Sequence, residues 1–185
     1  MENINQKSAE MESFVSRLKK QDDYNLRLGK VLKRFYIIMV VFFVLLMVVN
    51  PFSDFDPYHR INGVLFALAF SWFAFLFEKL QKDFRHVNYG LPTREMMQKV
   101  VKRYRITAGN YLMLFPPLVL VDIALSLSAY HHGDAANPWM NVWMVQLMFG
   151  LVISVAVFAG YQVWRIKQKP LIDYAREMLK ELDQM

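Results

Sequence analysis

The chain has 185 residues, 55% of them apolar, and its 22 Lys and Arg against 16 Asp and Glu give a net charge of +6. The apolar residues gather in four separate blocks near bilayer-crossing length, which argues against an ordinary soluble domain. Cysteine is absent, which excludes disulfides, iron–sulfur ligation, cysteine zinc sites and thiol nucleophiles together.

Residues 1–34 read as an amphipathic helix with Met11, Phe14, Val15 and Leu18 on one face, then a polar break at residues 21–25, then Leu28, Val31, Leu32 and Phe35 leading to the membrane. The first span covers 35–49 and extends at most through Asn50, Pro51 and Phe52. The long segment ahead of it, with no small-residue cleavage pattern behind, predicts a retained span rather than a signal peptide. The second span covers 61–77, where Gly63, Ala67 and Ser71 recur every four residues and form a smooth packing strip.

Residues 78–106 predict a helical hairpin extension. The second span runs on to about His86, Asn88, Tyr89, Gly90, Leu91 and Pro92 form a turn, and Thr93 caps a new helix. That helix carries Met97, Val100, Val101 and Tyr104 on one side and is expected to continue into the third span, 107–130. Pro116 and Pro117 remove amides whose acceptors would be Leu112 and Met113, predicting a bend that serves either a hinge or static packing. The fourth span, 139–164, carries a second small-residue pair, Gly150 and Ser154. In the tail, 165–185, Pro170 suits the first turn of a last helix whose stripe is Leu171, Ala175, Met178 and Leu182. Each terminal stripe needs an apolar partner, found either on the other cytoplasmic helices or on the inner leaflet.

The fold class is therefore all-α: a polytopic membrane protein with four transmembrane helices in domain 35–164 and amphipathic helices at 1–34 and 165–185. Every Lys and Arg except Arg60 lies in the N-terminal segment, the connection 78–106 or the tail, so those segments are expected in the cytoplasm with both termini. This placement is what topology and anionic lipid require, and nucleic acid is not an expected partner. Aromatics mark the two interfaces, with Phe52, Phe55, Tyr58, Tyr130, Trp139 and Trp143 outside and Tyr36, Tyr104, Tyr111, Tyr161 and Trp164 inside.

Asp122 is the single acidic residue within a span, where a carboxylate is costly and needs a partner. Counted from the outer ends of their helices, Asp122 and Gln146 share a depth, and Ser126 lies one turn from Asp122. The three form either a hydrogen-bonded pin between the third and fourth helices or an ion-coupling site. His59, His131, His132 and the acids Asp54, Asp56 and Asp134 fall in the outer connections and are weak candidates for metal or a pH switch, since they match no metal motif. No phosphate loop, zinc-protease pair or nucleophilic triad occurs, so neither an enzyme nor a cofactor is expected.

The run Asn88, Tyr89, Gly90, Leu91, Pro92, Thr93, Arg94 and Glu95, with Lys102, Arg103, Tyr104 and Arg105 ahead of a long apolar span, resembles the middle connection of uncharacterised four-span inner-membrane proteins of bacteria. The resemblance implies a bacterial inner membrane and brings no active site with it. Two functions follow from the residues: a non-enzymatic membrane scaffold, sensor or regulator acting through cytoplasmic helix contacts, or a small transporter using Asp122. The bilayer is the expected partner, with a protein partner or a second copy reached through the cytoplasmic helices. A transporter needs a water-filled cavity at Asp122, whereas a scaffold buries it dry.

Overall fold

The structure, a computed structural model, describes residues 2–49, 57–85, 87–89, 93–105, 112–132 and 137–184, without the side chains of 2–8, 49, 57 and 132. Expectations for His86, Asn50, Pro51, Phe52, Asp54, Phe55, Asp56, Gly90, Leu91, Pro92, Tyr111, Asp134 and the His132 side chain lie outside the described residues. Among those described, the elements are helices: α1 Glu2–Val49, α2 Pro57–Arg85, α3 Thr93–Tyr104, α4 Phe115–His132 and α5 Pro138–Val163, then a π-helical turn Trp164–Gln168 and α6 Lys169–Gln184. Three continuous helical stretches, Ala9–Val48, Tyr58–Arg85 and Pro138–Gln184, are long and apolar enough to cross a membrane, and α4 is an apolar but shorter helix. The chain is a membrane-embedded helical protein.

Two compact units emerge. One consists of Met1–Gly29, Leu80–Ile106 and Ala159–Met185; the other consists of Lys30–Lys79 and Thr107–Phe158. The first has a closed apolar core of Phe14, Leu18, Phe84, Met96, Met97, Val100, Tyr104, Leu171, Ile172 and Ala175. Both terminal stripes reach this core, with Met11, Val15 and Met178 packed at its edge. Burying each large side chain contributes about 1.5–3 kcal/mol, more than an exposed ion pair supplies. In α3, Glu95 stands in the first turn and Lys102 and Arg103 in the last, each matched to the helix dipole.

In the second unit, Tyr36 of α1 lies against Phe70, Phe73 and Phe77 of α2, and Phe43 against Phe66 and Phe70. Higher numbers on α1 meet lower numbers on α2, so the two helices are antiparallel. Lys33 and Glu78 pair at 3.2 Å along the same seam. Trp72 Nε1 donates to the Met113 carbonyl at 3.1 Å, and Tyr130 meets Trp139 edge to face at 5.4 Å between α4 and α5. Large apolar side chains face outward, among them Val48, Phe75, Leu147 and Phe158, as a lipid solvent demands.

Two local expectations need correction. The polar residues 21–25 leave no gap in the buried face of α1, which is one helix of 48 residues. No Gly or Pro interrupts it there, and Asp22 and Asn25 are buried on the stripe that carries Phe14 and Leu18. Nor does the helix beginning at Thr93 run into the third span. It stops at Tyr104, whose carbonyl accepts Trp164 Nε1 at 3.1 Å.

Pro116 and Pro117 stand in the first turn of α4, just after helical Leu112 and a turn at Met113 and Leu114, so the helix is interrupted where the bend was expected, and the Met113 carbonyl accepts Trp72 Nε1 instead. Pro170 stands in the first turn of α6, as expected, although the helical stretch Pro138–Gln184 carries on through it without a break. In a regular helix its ring would press on the carbonyl of Ile166. The helix absorbs this misfit in the π turn just before it, where Lys169 N–H donates to the Trp164 carbonyl five residues back.

Candidate functional site

Among the described residues of the first unit, the most enclosed polar group is the carboxylate of Asp22, 2% exposed, on the buried stripe of α1. Its Oδ2 accepts the Tyr89 hydroxyl at 2.8 Å and Arg103 Nη1 at 2.9 Å, and its Oδ1 accepts the Tyr104 hydroxyl. The Arg103 guanidinium is itself only 15% exposed and lies 5.8 Å from the centroid of the Phe84 ring. Burial raises the pKa of both phenols, and the hydrogen bond to Asp22 and its negative charge add to the rise, so both hydroxyls stay protonated donors. Trp164 Nε1, bonded to the Tyr104 carbonyl, ties the π turn to the same place.

One carboxylate thereby collects donors from the turn at Tyr89 and from α3, at sequence separations of 67, 81 and 82 residues. This is a lock rather than a reaction centre, because the donors engage both carboxylate oxygens and the arginine charge offsets the carboxylate's. Sequence reasoning missed Asp22, Tyr89 and Arg103 as a group and treated Tyr104 and Trp164 as interface anchors. The available signal was that Asp22 and Asn25 continue the 14, 18 spacing of an apolar stripe.

In the second unit the structure brings Asp122, Ser126 and Gln146 together. Gln146 Nε2 donates to Asp122 Oδ1 at 2.8 Å and to Ser126 Oγ at 2.7 Å, and Ser126 Oγ donates to the Asp122 carbonyl at 2.8 Å. Both hydrogens of the amide are used, and α4 and α5 are pinned at one level. Gly63 is buried, and a Cβ there would lie 2.8 Å from Met47 Cγ, so α1 and α2 approach closely at that point. Ala67 is half-buried and Ser71 exposed. Gly150 has nothing within 4 Å of a Cβ position, and exposed Ser154 donates to its carbonyl at 2.7 Å, so this strip stays uncovered within the chain. His59 is half-buried, and His131 stacks on Tyr58 at 3.4 Å. Among the described residues no group of three or more His, Asp or Glu is placed to hold a metal ion.

No protein-family model, curated protein or solved structure matches the chain.

Proposed function

We propose that the chain is a non-enzymatic scaffold or regulator of a bacterial inner membrane, crossing the bilayer four times and working through a helical unit in the cytoplasm. The observation that carries this reading is the convergence on Asp22 and its surrounding core of three segments, Met1–Gly29, Leu80–Ile106 and Ala159–Met185. Segments that share a core lie on one side of a membrane, so an even number of crossings separates each from the next. With α5 crossing, α4 must return the chain as well; its 18 residues span roughly 27 Å at ~1.5 Å per residue, against a hydrocarbon core of ~30 Å. The basic residues concentrate in the same three segments, which sets their side as the cytoplasm.

The test exploits the absence of native cysteine. Single variants Glu12→Cys, Asn88→Cys and Gln184→Cys should react with a membrane-impermeant maleimide only after the membrane is opened, and Asn137→Cys should react in intact cells. Labelling of any of the first three in intact cells, or protection of the fourth, would overturn the topology and with it the cytoplasmic role.

A further inference from the structure

A groove of about 950 Å³ lies within the unit that holds Asp22, between the first turns of α1 and the start of the tail helix. Its floor is apolar, with Phe14 and Tyr174 stacked at 4.6 Å beside Leu171. Basic side chains edge it: Arg17, Lys20 and Lys167. Lys167 Nζ is held 4.7 Å from the centroid of the Tyr24 ring, and among the described residues neither Lys20 nor Lys167 is paired with a carboxylate. A second cavity of about 450 Å³ shares Lys20 and Tyr24 and adds Lys19 and Arg27. Glu10 and Asp23 also line this space, leaving the cations in excess.

Ile166 and Lys167 follow Trp164, the last residue of the apolar run, by two and three positions. At ~1.5 Å per residue they lie within about 5 Å of the span's end, at headgroup depth. Ile166 is an apolar groove residue left 71% exposed, which suits contact with an acyl chain and gives an acidic peptide nothing to pair with. We propose that this groove binds an anionic phospholipid at its membrane end, with Arg17, Lys20 and Lys167 on the phosphate and the acyl chain against Ile166. The proposal rests on the membrane topology argued above, since lipid meets the groove only where the fourth span ends. Anionic lipid in the cytoplasmic leaflet would then be the signal that the helical unit reads.

Native mass spectrometry of the full-length protein in detergent, offered phosphatidylglycerol, phosphatidylcholine or inorganic phosphate, tests this. Phosphatidylglycerol should be retained in preference to phosphatidylcholine, and millimolar phosphate should not displace it. Lys20→Ala with Lys167→Ala should weaken retention about ten- to thirtyfold, the loss expected from two surface cations on an anionic lipid. Lys99→Ala with Lys102→Ala removes equal charge away from the groove and should change little. Lys20→Arg with Lys167→Arg should keep binding, which separates the result from a folding defect. Equal retention of the two lipids, equal loss in the two alanine pairs, or displacement by phosphate would overturn the assignment. Cysteine labelling reads the topology separately, so failure of the groove and failure of the topology are distinguishable.

Discussion

Replacing Asp22 by Asn keeps the shape of the side chain while removing its charge. The amide oxygen can still accept the Tyr104 hydroxyl that now meets Oδ1. Its NH2 would then face the two donors on Oδ2, the Tyr89 hydroxyl and Arg103 Nη1, which lie 2.8 and 2.9 Å away. Arg103 would keep a charge that is only 15% exposed with no counter-ion. Breaking a buried pair in this way costs about 3–5 kcal/mol. At ~1.4 kcal/mol per tenfold, amide protection in the first unit should fall by about two to four orders of magnitude.

The exposed pair Arg94–Asp183, 2.7 Å apart with side chains 63% and 57% exposed, is the control. Arg94→Ala should cost at most ~1 kcal/mol, a change of about fivefold. Hydrogen exchange of residues 14–26 and 93–104 in purified protein, under conditions where opening is reversible, reads both. Adding Arg103→Met to Asp22→Asn should return part of the loss, because it removes the unpaired charge. If Asp22→Asn lowers protection no more than Arg94→Ala does, the carboxylate is not the lock inferred here.

The two phenols give the same unit an alkaline limit. Burial and Asp22 raise their pKa above the ordinary 10.0, so the stability they confer is full below about pH 10 and is lost as pH rises through that value toward the higher folded one. Tyr104→Phe should be less stable than wild type at pH 7 by about 1–3 kcal/mol and lose less on going to pH 11, followed by thermal unfolding. Gly63→Leu should destabilise the purified protein by about 1–3 kcal/mol by driving a side chain into Met47, while Gly150→Leu, with open space around it, should be close to neutral; equal effects would contradict the packing described. Gln146→Leu should cost about 0.6–1.7 kcal/mol, the scale of an intramembrane hydrogen bond, whereas Asp122→Asn should accumulate in the membrane near the wild-type level because its oxygen still accepts from Gln146. An Asp122→Asn protein that fails to accumulate would show that the charge itself is needed.

Much of the architecture was legible in the chain because helix period and burial share one code. The runs 61–77 and 139–164, the apolar stripes at 11, 14, 15, 18 and at 171, 175, 178, and the matched depth of Asp122 and Gln146 all follow from a rise and a repeat that neighbours impose locally. What the chain concealed depends on partners remote in sequence. Asp22 in isolation is a polar residue within a polar stretch, and local reasoning sends such a residue to solvent. Only the tertiary structure brings Tyr89, Arg103 and Tyr104 to it across 67, 81 and 82 residues, turning an apparent break into the most enclosed polar group among the described residues of its unit. The same holds for Trp164. At the end of a span an indole is expected at the headgroups, but a nearby free carbonyl at the end of α3 offers its N–H a bond, and that carbonyl exists only because the chain stops being helical at Tyr104.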